Sequence, residues 1–223
     1  MNINKLIIGT AQFGMPYGMH NKEVNLKEIG NILKFAKKNK INYLDTAPIY
    51  QNAMKKLSMF NLKDWKIISK IPSKPNNIKD FKGWINKVFY KSLDTLKIFK
   101  IDTILIHDEN DILNKNSGDI LFRTLNELKS NSIVKNVGCS IYSPKKIKKI
   151  LHRYDFDIIQ SPYNIFDTRI LSSGLSKSLI KRKVKLHLRS IFLQGLLLKK
   201  NNLTKKFKNN RLLKKFNDWL KKS

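Results

Sequence analysis

The sequence predicts an α/β chain of the (β/α)8 barrel type that lacks the eighth βα unit. Three observations carry this. Seven apolar β-type runs alternate with segments of helical periodicity, the pattern of a parallel sheet with helical crossovers. No run opens into a GxGxxG turn, which argues against a doubly wound dinucleotide-binding sheet. Side chains capable of proton chemistry stand at the ends of several different runs, where barrel enzymes gather their active sites. No eighth run follows the seventh.

The strand-like runs are residues 5–9 (KLIIG), 41–45 (INYLD), 65–71 (WKIISKI), 102–107 (DTILIH), 134–140 (VKNVGCS), 157–160 (DIIQ) and 185–190 (KLHLRS). Between them, residues 25–40 place Leu26, Ile29, Leu33 and Ala36 on one stripe, the spacing of a helix with one buried face. Residues 77–99 form the longest amphipathic segment, in which Trp84, Phe89 and Phe99 read as packing. Ser117 is expected to cap a helix carrying Leu121, Leu125 and Leu128. Ser143-Pro144 is a cap followed by a proline at the first helical position, opening a helix with Ile147, Ile150 and Leu151. Residues 169–182 are amphipathic again. Residues 191–210 read as a loop with a basic tail, and 211–222 as a last helix with Leu212, Phe216 and Trp219 on one face. The organisation predicted is one barrel domain over 1–223, with 199–223 a basic loop and terminal helix.

With 223 residues, 41% of them hydrophobic and 10% aromatic, the chain has the material for a sizeable core. No apolar run approaches the roughly 18 residues of a membrane span. The N-terminus MNINKLIIG lacks a secretory apolar region and cleavage site, so the expected location is the cytoplasm. The single Cys139 excludes an intramolecular disulfide and reads as a small buried apolar residue. Net charge is +29, from 45 Lys and Arg against 16 Asp and Glu. The lysines are spread along the chain and no nucleic-acid motif accompanies them. The expectation is therefore a solvated lysine-rich surface, with no specific nucleic-acid or membrane partner. His20, His152 and His187 lack ligand spacing, so no metal site is expected.

In a parallel barrel all strand C-termini converge on one mouth. Asp45, Lys70 and His107 each end a run, and Tyr50 follows one by five residues. A free phenol has a pKa of about 10. An adjacent ammonium favours phenolate, so Lys70 is expected to lower the pKa of Tyr50, with Asp45 holding Lys70 charged and in place. His107 would orient a carbonyl by a hydrogen bond. The sum is a general acid that protonates a carbonyl oxygen while hydride reaches the carbon.

These residues resemble the aldo-keto reductase family. The matching stretches are LIIGTAQFG (6–14), YLDTAPIY (43–50), SKIP (69–72), ILIHDEND (104–111), GCSIYSP (138–144), IIQSPYNIFD (158–167) and LRSIFLQGLLL (188–198). The resemblance implies a (β/α)8 barrel and NADP(H)-dependent reduction of a small-molecule aldehyde or ketone. By that pattern Asp45, Tyr50, Lys70 and His107 form the catalytic tetrad, with Tyr50 the proton donor. Ser140 and Gln160 would hold the nicotinamide carboxamide. Arg189 stands where many members stack a tyrosine on the nicotinamide. The loop after it, with Ser190, Gln194 and Gly195, would lie along the pyrophosphate.

Three features depart from the family pattern. Gln51, Asn52, Ala53 and Met54 replace the usual Gly-x-Ser-Glu, Ile141 replaces a common asparagine, and the eighth strand with its adenosine-phosphate segment is absent. That absence implies a shortened copy of a reductase, self-association through open barrel edges, or a degenerate barrel that binds a nucleotide or protein partner without turnover.

Overall fold

Isoleucine- and leucine-rich runs form extended strands when both faces are covered. That is the arrangement in the computed structural model, which describes residues 5–19, 21–198 and 211–222. The strands are β1 (Ile8–Gly9), β2 (Tyr43–Asp45), β3 (Lys66–Ile71), β4 (Ile101–Ile106), β5 (Val134–Ser140), β6 (Ile158–Pro162) and β7 (Lys185–Arg189). All pair in parallel, in chain order from β1 to β7. The helices are α1 (Ala11–Gly14), α2 (Leu26–Lys38), α3 (Ala53–Leu57), α4 (Phe81–Leu96), α5 (Glu109–Leu113) and α6 (Lys115–Ser130). They continue with α7 (Pro144–Arg153), α8 (Arg169–Ser172), α9 (Leu175–Lys181) and α10 (Arg211–Lys222), and a 3-10 turn spans Leu193–Leu198. The result is a curled parallel sheet with alternating helices, a barrel of the predicted type. No described residue forms an eighth strand between β7 and β1.

The core has two layers. Outside the sheet, Ile104, Ile106, Val137 and Cys139 pack against Phe89, Leu93, Leu121, Leu125 and Ile147 of the helices. Inside the curl, Ile68, Leu105 and Ile158 form a small apolar plug with Ile7 and Tyr43. Side chains two residues further along a strand point the same way. The row above this plug is therefore Asp45, Lys70 and Gln160, at the C-terminal mouth. Gly138 is needed in β5, because a Cβ there would stand 2.3 Å from the Ile158 carbonyl oxygen and 2.7 Å from Leu105.

Several expectations are corrected. Ser117 does not cap α6. The Asn114 side chain does, accepting from the backbone N–H groups of Asn116 and Ser117 at 3.1 and 3.2 Å. Ser143 occupies the cap position of α7 without a side-chain bond to the helix. Phe99 is 93% exposed beyond the end of α4, whereas Phe89 is fully buried and Trp84 stacks on Phe81. The amphipathic segment 169–182 breaks into α8 and α9 at Gly174, whose φ of +70° suits only glycine comfortably. In α10, Phe216 meets Phe166 edge-on at 5.8 Å between ring centroids. His20, the basic tail 199–210 and the side chain of Leu212 lie outside the described residues.

Candidate active site

Asp45 ends β2, and the chain turns back to place Tyr50, whose N–H donates to the Ala47 carbonyl at 3.0 Å. Gly14 of α1 lets two backbones meet here: a Cβ would stand 2.1 Å from the Tyr50 carbonyl oxygen and the Ala53 nitrogen. The next residue, Gln51, has φ of +46° at the position where the resembled family usually has glycine. Ala53 and Met54 then turn into the core on α3. Lys70 is the penultimate residue of β3. His107 follows β4, its N–H donating to the Ile71 carbonyl at 3.0 Å.

These four side chains converge. The Lys70 ammonium, only 2% exposed, donates to the Asp45 carboxylate, to the Thr46 carbonyl at 3.2 Å and to the Tyr50 hydroxyl at 3.4 Å. The Tyr50 and His107 rings meet edge to face, 6.3 Å between centroids. A buried ammonium with no anion would shed its proton. Burial does act against the Lys70 charge, but Asp45 and Tyr50 together hold its pKa above the ordinary lysine value.

Tyr50 does not follow the expectation. Burial raises its pKa above 10.0 and outweighs the pull of the Lys70 charge, and the Asp45 charge adds to the rise. With its pKa raised above 10.0, the phenol stays protonated at neutral pH. Burial, and then Lys70, push His107 down to about 4, so its ring is neutral at pH 7. Its Nδ1 is buried without a partner.

Of the other expected site residues, Gln160 joins the cluster, its amide nitrogen donating to the second Asp45 oxygen at 2.7 Å. Its amide oxygen is buried without a partner. Ser140 is buried at the end of β5, in register with Gln160. Arg189 donates to the Ile141 carbonyl at 3.2 Å and lies 4.2 Å over the Tyr142 ring. The Ile141 side chain turns into the helix-side core, leaving its carbonyl at the mouth.

Ser190, Gln194 and Gly195 do not reach the four-residue cluster. They sit on the rim with φ of +60°, +56° and +93°. There Gln194 accepts from the Met19 N–H at 3.1 Å and donates to the Tyr17 hydroxyl at 3.2 Å, tying the loop after β7 to the loop after β1.

An open cavity of about 370 Å³ lies beside His107, lined also by Ile49, Pro72, Ser73, Asp108 and Tyr142. Tyr142 and Glu109 lie within the matching stretches 138–144 and 104–111, but the sequence alone assigns neither a role. No described group of His, Cys, Asp and Glu could hold a metal ion. No helix among the described residues is long and apolar enough to cross a membrane.

The sequence profile of the aldo/keto reductase family matches residues 5–223. The chain belongs to that family. Solved aldo-keto reductases share its fold. One from Bacillus halodurans, in its holo form, superposes with a TM-score of 0.73 at 22% identity, over 90% of this chain and 66% of its own. The glycerol dehydrogenase from Gluconobacter oxydans gives 0.67 at 21% identity, over 96% and 70%. A thermostable aldo-keto reductase in complex with the inhibitor epalrestat gives 0.68 at 19% identity, over 97% and 76%. No curated protein matches the sequence. Membership of the aldo-keto reductase family supports an oxidoreductase function.

Proposed function

We propose that this aldo-keto reductase reduces an aldehyde or ketone, such as a sugar-derived carbonyl, using NADPH in the cytoplasm. The observation that carries this reading is the Lys70 ammonium, buried and shared between Asp45 and Tyr50 with a neutral His107 opposite. Tyr50, protonated at neutral pH, gives its proton to the carbonyl oxygen. The Lys70 charge then stabilises the phenolate that remains, and Asp45 keeps Lys70 charged. His107 is neutral, so it orients the carbonyl by a hydrogen bond without competing as the acid. Substrate would enter through the cavity beside His107.

The unpartnered Gln160 amide oxygen suits an N–H donor such as a carboxamide, and Ser140 adjoins it. NADP(H) would be held there, by Arg189, and along the rim by Ser190, Gln194 and Gly195; it would supply the hydride. Cys139, fully buried, is compatible with a reducing compartment.

A second reading is a barrel that binds a nucleotide or protein partner without turnover. It draws on the unpaired β1 and β7 edges among the described residues. One experiment separates the two. NADPH fluorescence is titrated with the purified protein, and a panel of aldehydes, ketones and sugars is then assayed. Turnover that Tyr50→Phe abolishes supports the reductase. Tight NADPH binding with no reduction across the panel discards it for the second reading.

A further inference from the structure

Glu109 is a carboxylate that is only 3% exposed, two residues beyond His107. One oxygen accepts from the Tyr142 N–H at 2.6 Å and the Ser143 N–H at 3.2 Å. The other pairs with the Lys146 ammonium at 2.9 Å. Burying a carboxylate is costly unless its lone pairs are met, and here they are. Glu109 supplies the negative group at the start of α7 that the Ser143 side chain does not, where the helix dipole favours an anion. It thereby joins the loop after β4, which carries His107, to the loop after β5, which carries Tyr142.

Tyr142 has no other backbone tie of this strength among the described residues. Tyr142 is 53% exposed; it lines the cavity beside His107, and its ring takes the Arg189 guanidinium on one side at 4.2 Å. Arg189 in turn is fixed by the Ile141 carbonyl. The chain of contacts runs from the loop after β4 through the loop after β5 to β7, with Tyr142 its member on the cavity wall.

The geometry points to Glu109 as a positioning residue: its carboxylate fixes the Tyr142 backbone so that the Tyr142 ring, with Arg189 against it, forms the substrate-side wall facing His107. This rests on the reductase reading for its kinetic consequence, but the placement of Tyr142 stands independently of it.

The test uses the full chain labelled with 3-fluorotyrosine, with the Tyr142 fluorine resonance assigned from Tyr142→Phe. Glu109→Ala is expected to shift that resonance, leave the Tyr50 resonance in place, and raise the carbonyl KM about tenfold with kcat nearly unchanged. Glu109→Gln keeps one acceptor oxygen and restores most of both effects. Leu128→Ala, a buried truncation near the C-terminal end of α6, lowers thermal stability without either effect. A Tyr142 resonance unmoved in Glu109→Ala overturns the proposal, and so does the same shift in Leu128→Ala. If Glu109→Ala does not fold, a smaller shift in Glu109→Gln supports the proposal and none overturns it. If the wild type reduces no carbonyl, the reductase reading fails and the fluorine signal alone decides the role of Glu109.

Discussion

The middle of the sheet and its two edges are built differently. β3, β4 and β5 have six or seven residues each, nearly all buried, and every one is paired on both sides. β1 has two residues, and β7 is half-buried along most of its length; among the described residues each pairs on one side only. The proton-handling groups lie in or beside the first region: Lys70 is on β3, His107 directly follows β4, Asp45 ends the adjoining β2, which is also paired on both sides, and Tyr50 lies in the loop after β2 against α1. The groups proposed to hold the cofactor belong largely to the second, on β7 and the loop after it. Rigid placement matters most for groups that must meet within hydrogen-bond reach, and a long, doubly paired strand provides it. The edge makes up part of the deficit through Gln194, which links the rim of β7 to Tyr17 and Met19.

Experiments can break this contrast, and the largest effect is expected at the proton donor. Tyr50→Phe should lower kcat/KM by about 10²–10⁴-fold while circular dichroism and melting stay near wild type. An unchanged rate would remove Tyr50 from the chemistry. Next in size is the core. Phe89→Ala, behind the central strands, should cost about 3–5 kcal/mol in urea melts, whereas Leu188→Ala on β7 should cost about 1 kcal/mol or less. Equal losses would show that edge and centre are equally well packed.

The pH dependence of His107 is the third test. Its folded pKa of about 4 lies below the ordinary 6.5, so the fold prefers the neutral ring. That preference stabilises fully above pH 6.5 and is lost as pH falls towards 4. Melts of wild type and His107→Gln should therefore converge between these limits, and parallel curves would count against a buried neutral His107. Smallest is Gln51→Gly. Relieving a positive φ should add about 0.5–1 kcal/mol, and a loss would mean the Gln51 side chain contributes contacts of its own. Self-association through the open edges would show as a sedimentation mass that rises with concentration, and a constant monomer mass discards it.

Much of this was legible in the sequence because it is local. Apolar runs such as residues 134–140 coincide with β5 because a buried parallel strand needs little beyond an apolar stretch of the right length. The four-residue cluster was legible because strands of one direction bring their C-terminal residues to one mouth. Caps were less so: Asn114 and Ser117 both suit a helix start, and only the observed path of the chain from α5 into α6 selects between them. Phe99 looked like packing by residue type alone, but a helix ending at Leu96 leaves it in solvent.

The sequence by itself indicated a parallel barrel and placed Asp45, Lys70 and His107 at strand ends that open on one mouth, since both follow from periodicity and spacing along one chain. The tertiary structure alone decided the electrostatics. The pKa of Tyr50 depends on how much burial opposes a lysine already committed to Asp45, and that balance exists only once separate strands meet. It alone also decided the role of Glu109, because a carboxylate 33 residues before Tyr142 reads as surface charge until folding closes a helix N-terminus around it.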